Sequence, residues 1–259
     1  MAFGEKGAVF PSLTYSFTLC LPTSIRCPMR RSSREDFSVD VAGLSGKGKL
    51  TVLANPNAPT GLALPLDQVE ALVASNPGHV VVVDEAYVDF GAASAAALLG
   101  RYENLLVVMT YSKSRSMAGA RLGFALGSRE LIADLERLKY ATNPYNVNRL
   151  TLRLGEAAVD SDPYFRANAR RIMATRDKTA RALREMGFRL PDSQANFLFV
   201  THPRIDGARL YQKCRERGIL IRHFSDPAIA QYNRVTIGAE EEMETFLTMV
   251  RDILREEGL

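Results

Sequence analysis

Short apolar runs along the first half of the chain predict buried strands. Four such runs occupy residues 50–54, 79–83, 105–109 and 122–127. Because they are largely apolar instead of alternating with polar residues, both faces of each strand are expected to be covered. Helical patterns separate them at about residues 65–74, 92–99 and 128–138. The alternation predicts a mainly parallel sheet with helices on both faces.

The second half of the chain predicts a long charged helix followed by a smaller unit. The helix spans residues 163–186 and ends at Gly187, a residue type favoured just past a helix. Strands are expected at 196–200, 219–222 and 234–238, and helices at 205–217 and 240–257. A domain boundary is expected near 155–190, which assigns 1–160 to a large domain and 161–259 to the helix and a small domain. The predicted fold class is α/β, with a three-layer α/β/α large domain and a C-terminal small α/β domain.

Composition narrows the classes of function. The chain has 259 residues, of which 46% are apolar and 24% charged, as is ordinary for a globular protein. The formal net charge is +4, and the densest basic stretch, Arg26–Arg34, has no interleaved aromatic residues, so nucleic-acid binding is not favoured. Three cysteines without a CxxC pair favour a reducing cytoplasm over a disulfide framework or a metal site. The sequence has neither a membrane-spanning apolar run nor a signal-peptide core, so no membrane partner is expected.

Polar residues with chemical potential follow three of the predicted strands. Asn57, Asp84 and Lys113 each lie just past the end of one of them. In an open parallel sheet, ligands bind outside the carboxyl ends of the strands. We therefore expect these three side chains to meet at one edge of the sheet.

Lys113 is the most informative of these residues. Ser112 precedes it, and a second base, Arg121, lies eight residues on. Desolvation and nearby positive charge disfavour a charged ammonium, and a neutral amine can condense with an aldehyde cofactor. Ser112 and Arg121 would then hold the phosphate of that cofactor. Taken singly, Lys113 is better interpreted as an ordinary surface amine, and Arg121 as a structural ion-pair partner.

Asp84 has two interpretations. A strand-end aspartate commonly caps a turn or a helix. A carboxylate at the mouth of a sheet can instead keep a pyridine nitrogen protonated, which makes the ring an electron sink. Tyr87, three residues on, is placed to reach the phenolic oxygen of such a ring. The order and spacing of these residues together favour the functional interpretation.

Three segments resemble the fold-type I, pyridoxal-phosphate-dependent aminotransferases, and most closely the histidinol-phosphate aminotransferase family. They are Asn55–Gly61, Asp84–Phe90 and Ser112–Gly123. Shorter matches occur at 13–17, 34–40 and 233–238. The resemblance covers about residues 33–259 well and 1–17 fairly well.

The resemblance implies a role for each matching residue. Lys113 would bond to the cofactor, pyridoxal 5'-phosphate, and move the substrate proton. Asp84 would pair with the ring nitrogen, Tyr87 would hydrogen-bond the ring oxygen, and Tyr15 would stack on the ring. Ser112 and Arg121 would bind the phosphate.

The resemblance also implies a substrate site and a reaction. Arg234 would bind the substrate α-carboxylate, and Arg222 is a second substrate candidate. The reaction would transfer an amino group between glutamate or 2-oxoglutarate and histidinol phosphate or imidazole-acetol phosphate, in histidine biosynthesis. A homodimer in the cytoplasm is the expected assembly, with small amino acids and oxo acids as partners.

The chain departs from the family pattern in three places. Ala58 occupies the position where many relatives have the asparagine that bonds the ring oxygen, so either Asn57 supplies that contact or Tyr87 carries it alone. The chain begins late, which implies an N-terminal truncation. The resemblance implies that the missing residues supply part of the small domain, the N-terminal part of the large domain with a phosphate-binding glycine loop, and a segment that reaches the partner subunit. Residues 18–32 do not read like the family and resemble a replaced segment.

Three other interpretations stay open. A threonine-phosphate decarboxylase-like lyase resembles this family and uses the same lysine. A truncated, non-catalytic remnant would keep the fold without the activity. A phosphate- or nucleotide-binding α/β domain is disfavoured because neither a Gly-x-Gly-x-x-Gly nor a P-loop pattern occurs.

Overall fold

A computed structural model describes residues 7–15, 29–32 and 36–259, with only the backbone described for 29–32. Its larger sheet has six strands among these residues. They are β1 Ala8–Pro11, β2 Met29–Ser32, β3 Leu50–Ala54, β4 Val81–Asp84, β5 Leu105–Thr110 and β6 Gly123–Gly127. The order is β2-β1-β3-β4-β5-β6, and only the β5–β6 pair is antiparallel. The mainly parallel sheet confirms the predicted fold class.

Buried aliphatic side chains attach helices to this sheet. Among the described residues, the helices before β4 are α1, Val41–Leu44, and α2, Leu66–Ala74, and 3-10 turns at Val88–Phe90 and Ala95–Leu98 follow β4. Val69, Leu72 and Val73 of α2 pack with Leu53 and the neighbouring strand residues in one core cluster. Burying each such side chain contributes about 1.5–3 kcal/mol to folding. That core fixes the strands whose ends carry the predicted site.

Three helices connect the larger sheet to the rest of the chain. They are α3 Arg129–Thr142, α4 Arg149–Asp160 and α5 Asp162–Glu185. Ser128 and Asn148 cap α3 and α4 by accepting hydrogen bonds from Leu131 N at 3.4 Å and Thr151 N at 2.9 Å. The sequence-based interpretation placed no helix at 149–160.

A smaller antiparallel sheet follows α5. Its elements are β7 Phe197–Val200, α6 Gly207–Glu216, β8 Arg222–His223, β9 Asn233–Thr236 and α7 Glu240–Glu256. The strand order is β7-β9-β8. Leu198, Val200 and Val235 point to one face and pack with Leu183 of α5 and Val250 of α7. On the opposite face, Phe197 contacts Tyr87, which lies just beyond β4 of the larger sheet.

The strand predicted at 219–222 is largely wrong. Only Arg222 of that segment belongs to β8. Ile219 N donates to Cys214 O at 3.0 Å, which closes the end of α6, and Ile219 and Ile221 pack against the core of the smaller sheet. These apolar residues therefore cover a helix end instead of extending the sheet.

The segment 18–32 that departs from the family lies outside the described residues up to residue 28, and its last four residues form the edge strand β2. In the described part of the chain, no helix is both long enough and apolar enough to cross a membrane.

Candidate active site

The predicted site residues surround one edge of the larger sheet. The parallel strands β1, β3, β4 and β5 all end there. The edge strand β6 runs the opposite way, so it begins at this edge, and Arg121 lies two residues before it. Tyr15 follows β1, Asn57 follows β3, and Ser112 and Lys113 follow β5. The topology brings together residues that lie nearly one hundred positions apart.

Asp84 ends β4 and is held in place by its neighbours. It pairs with Ala54 and Val108 in the flanking strands, and its Oδ1 accepts a hydrogen bond from Ala86 N at 3.0 Å. Burial raises the pKa of Asp84, while the Ala86 bond and the positive charge of Lys113 lower it by less. The carboxylate is therefore poorly solvated, and a cationic partner would stabilise its charged form.

Lys113 lies close to both Tyr87 and Asp84. Its Nζ is 5.3 Å from the centre of the Tyr87 ring, and its charge acts on Asp84. Its side chain is exposed, so the desolvation expected from the sequence is not provided by the described residues. The adjacent residues anchor the loop: Ser114 Oγ donates to Asp89, and Arg115 forms a 2.6 Å ion pair with Asp162 of α5.

A row of side chains joins Lys113 to Arg234 on the smaller sheet. The Tyr87 ring packs edge-on against Phe197, with 5.1 Å between centroids and 88° between the planes. Arg234 Cζ lies 5.1 Å from the centre of the Phe197 ring. The structure thus brings Lys113, Tyr87 and Arg234 into one contact series.

The Arg234 guanidinium has unmet hydrogen-bonding capacity. Its Nε is buried and has no hydrogen-bond partner among the described residues. Leaving a buried donor unpaired costs about 1–3 kcal/mol. Arg222 lies directly opposite it in the β8–β9 register, with its own guanidinium 5.4 Å from the Phe224 ring centre. Like charges at directly opposite positions in a sheet are destabilising, so an anion bound near this pair would be favourable.

Asn57 is mainly a structural residue here. Its Nδ2 donates to Leu13 O at 3.0 Å and to Thr60 Oγ1 at 3.1 Å, which ties the end of β1 to the turn after β3. Both amide hydrogens are thus engaged. The buried Oδ1 has no partner among the described residues, so an acceptor remains for a ligand. Tyr87 retains the hydroxyl that can donate to a ring oxygen.

The two predicted phosphate ligands border the lysine loop. Ser112 Oγ lies 3.0 Å from Thr110 Oγ1, and Ser112 N donates to the same oxygen at 3.1 Å. Arg121 has left-handed backbone geometry, with φ of 55°, and donates from NH1 to Ala118 O at 2.9 Å. Tyr15 lies beyond β1 with 52% of its surface exposed. These positions are compatible with the predicted roles, which remain predictions.

Sequence reasoning missed two residues that shape the site. Glu85 is 2% exposed and accepts hydrogen bonds from Ser94 Oγ and Ala95 N, both at 2.6 Å. Burial raises the pKa of Glu85 and these bonds lower it by less. Phe197 separates Tyr87 from Arg234. The sequence pattern that could have indicated Phe197 is the alternation in Phe-Leu-Phe-Val, which places the phenylalanines on one face of the strand and the aliphatic residues on the other.

The family follows from comparison with known proteins. The model of the family described as aminotransferase class I and II matches residues 2–250. The chain therefore belongs to the class I and II aminotransferases. Among curated relatives, it is 41% identical to the histidinol-phosphate aminotransferase of Brachyspira hyodysenteriae, over 98% of this chain and 73% of that protein. It is 45% identical to histidinol-phosphate aminotransferase 1 of Bordetella parapertussis, over 94% of this chain and 70% of that protein.

Solved structures show the same fold. A putative histidinol-phosphate aminotransferase from Erwinia carotovora atroseptica aligns with a TM-score of 0.88 at 24% identity, covering 97% of this chain and 75% of the other. The Sinorhizobium meliloti histidinol-phosphate aminotransferase, in complex with pyridoxal-5'-phosphate, aligns at 0.85 and 21% identity, covering 96% and 70%. The L-threonine-O-3-phosphate decarboxylase of Porphyromonas gingivalis aligns at 0.79 and 19% identity, covering 96% and 77%.

Proposed function

We propose that this chain is a pyridoxal-phosphate-dependent transaminase acting on glutamate or 2-oxoglutarate and on histidinol phosphate or imidazole-acetol phosphate. The observation that carries the proposal is the contact series from Lys113 through Tyr87 and Phe197 to Arg234, with Asp84 beside it. The names of the curated relatives support the choice of substrates.

The side chains at the sheet edge fit pyridoxal phosphate. Asp84, whose burial raises its pKa, would gain a cationic partner in a protonated ring nitrogen. Lys113 offers an amine to the aldehyde, and Tyr87 a hydroxyl to the ring oxygen. Ser112 and Arg121 offer donors to the phosphate, while Tyr15 and Asn57 border the ring position. When bound, the cofactor supplies an electron sink that acidifies the substrate Cα proton.

Each residue of the site would then have its own role in substrate binding or proton transfer. Arg234 holds the substrate α-carboxylate through the Nε that now lacks a partner. Lys113 Nζ takes the proton from the substrate Cα and acts as the general base, a contribution of about 10²–10⁴-fold in rate. Tyr87, which packs against Phe197, would orient the cofactor ring through its hydroxyl. Arg222, opposite Arg234, contributes positive charge toward the second anionic group of the substrate.

The assembly and organisation are part of the proposal. We propose a homodimer, because α4 exposes Leu150, Leu152 and Leu154 at 77%, 50% and 56% of their surface. Exposed apolar faces of this kind are commonly covered by a partner. A cytoplasmic location is proposed on the cysteine pattern of the sequence. We also propose a division into two domains, 1–160 and 161–259. It is supported by the order along the chain, because the strands of the larger sheet precede α5 and those of the smaller sheet follow it.

A decarboxylase acting on threonine phosphate is the second candidate, favoured by the fold shared with the Porphyromonas gingivalis enzyme. Both reactions would use the same lysine, so the amino acceptor separates them. The chain is loaded with cofactor and supplied with histidinol phosphate, with and without 2-oxoglutarate, while glutamate is measured. Glutamate formation that requires 2-oxoglutarate is expected. Carbon dioxide released from threonine phosphate without an acceptor would favour the lyase instead, and loss of both activities would leave a non-catalytic remnant.

A further inference from the structure

Arg176 is a buried cation in the middle of α5. Only 9% of its side chain is exposed. Its NH1 donates to Phe90 O at 2.8 Å and to Ala195 O at 3.0 Å. Its Nε pairs with Asp177 at 3.0 Å. One nitrogen thus joins two main-chain carbonyls that belong to different parts of the fold.

These two carbonyls lie just behind the contact between the sheets. Phe90 ends the 3-10 turn that follows Tyr87, and Ala195 lies two residues before Phe197. The rings of Tyr87 and Phe197 meet at 5.1 Å, and Ala195 belongs to the same apolar cluster. Arg176 therefore braces the junction between the Lys113 and Arg234 parts of the site.

The segment 193–197 is held from a third direction as well. Gln194 N donates to Gly61 O at 2.8 Å, so the turn after β3 also binds this segment. Ser193 Oγ donates to Phe197 O at 2.6 Å and accepts from Ala195 N at 3.1 Å. The larger sheet, α5 and the segment itself all restrain the start of β7.

Placing an arginine at this buried position is energetically unfavourable. A buried charge costs free energy unless it is well paired. The carboxylate of Asp177 is 58% exposed and compensates little. An apolar side chain would pack here without that cost, but it would leave both carbonyls unpaired. The planar NH1 group of the guanidinium donates one hydrogen to each carbonyl, which joins them at a set separation.

We propose that Arg176 is a positioning residue that sets the separation between Tyr87 and Phe197, and through them between Lys113 and Arg234. A substrate must place its carboxylate at Arg234 while its Cα reaches Lys113, so this separation decides how well an amino acid binds. The inference rests on the proposed function for the identity of the substrate. The brace itself depends only on the contacts of Arg176.

The test compares Arg176→Lys with Arg181→Lys, a matched change at an exposed position of the same helix. Lysine keeps the charge but replaces the planar NH1 group, whose two hydrogens point in fixed directions, with a freely rotating ammonium. In Arg176→Lys, the KM for glutamate is expected to rise about tenfold, equivalent to about 1.4 kcal/mol, with a smaller change in kcat. Borohydride fixation of pyridoxal phosphate on Lys113 is expected to match wild type. Arg181→Lys should leave all three unchanged.

A second measurement needs no activity. In the cofactor-free protein, amide hydrogen exchange is expected to quicken in both 88–91 and 193–197 in Arg176→Lys, and in neither in Arg181→Lys. Quickening in only one segment, or an unchanged KM for glutamate in an active enzyme, would overturn the proposal. A uniform fall of melting temperature, labelling and kcat would also overturn it, since that indicates a general loss of structure. If wild type has no transaminase activity, the proposed function fails while the exchange result still decides the brace.

Ser193→Ala provides a milder variant should Arg176→Lys be insoluble. It removes the 2.6 Å bond to Phe197 O without altering a charge. The KM for glutamate is expected to rise in the same direction by a smaller factor, with Lys113 labelling retained. No change in KM for this variant would contradict the role assigned to the segment.

Discussion

Asp84 shows how a single residue serves function at a cost in stability. Its carboxylate is buried beside Ala86 and faces the charge of Lys113, and burial still raises its pKa. An acid with a raised pKa binds more protons when folded than when unfolded. The cofactor-free protein therefore loses stability as pH rises from the unfolded toward the folded pKa of this group. A bound cation would remove that cost.

Replacing Asp84 with asparagine should separate stability from function. Asp84→Asn keeps an acceptor for Ala86 N and removes the charge, so the cofactor-free variant is expected to melt at a higher temperature than wild type at neutral pH. The gain should vanish under acidic conditions, where wild type is protonated. Thermal unfolding across pH measures this, with the exposed Asp160→Asn as control. Equal melting temperatures at neutral pH would contradict the assigned burial cost.

At the scale of elements, a helix or strand can be predicted from the sequence when its large apolar residues pack into a core of this chain. The strands β3, β4 and β5 were predicted because their residues are buried by helices on both sides. The helix α4 was missed because its leucines are exposed, and the face that packs inward carries only the small residues Thr151, Gly155 and Ala158. The strand β1 was missed because Ala8–Pro11 is short and ends in proline.

The site was predictable in part for the same reason. Asn57, Asp84 and Lys113 could be placed together because strand ends in a parallel sheet share an edge. Phe197 and Arg176 could not be placed, because their importance lies in contacts with distant parts of the chain, which no local pattern encodes. Arg176 binds Phe90 O, 86 residues away, and Phe197 packs against Tyr87. The unpaired Arg234 Nε is likewise a property of the packed molecule.

The turn after β3 can be tested with a matched pair of glycines. Gly61 has φ of 78°, and a Cβ there would lie 2.3 Å from Ser193 Oγ, whereas Gly78 has φ of 73° and nothing within 4 Å. Gly78→Ala should cost only the left-handed backbone penalty, about 1–2 kcal/mol. Gly61→Ala should cost about 1–3 kcal/mol more through the clash. Urea unfolding of both variants provides the comparison, and equal losses would show that the approach of 193–197 to this turn is not close.

At the scale of the whole molecule, the apolar surface of α4 bears on assembly. Leu150 and Leu220 are both 77% exposed, the first on α4 and the second beside the smaller sheet. If α4 lies in a dimer interface, Leu150→Glu should yield a monomer by sedimentation, while Leu220→Glu should remain a dimer. Both should fold normally, since exposed changes alter stability by about 0.5 kcal/mol or less. A dimer that survives Leu150→Glu would place the interface elsewhere.

The central claim is that one amine and one carboxylate at this sheet edge hold pyridoxal phosphate between them. The most direct measurement is borohydride reduction of the protein mixed with pyridoxal phosphate, followed by mass mapping of the modified lysine. The account predicts stoichiometric modification of Lys113, lost in Lys113→Ala and weakened in Asp84→Ala. Modification spread evenly over surface lysines such as Lys139 and Lys178, and unchanged in Lys113→Ala, would contradict it.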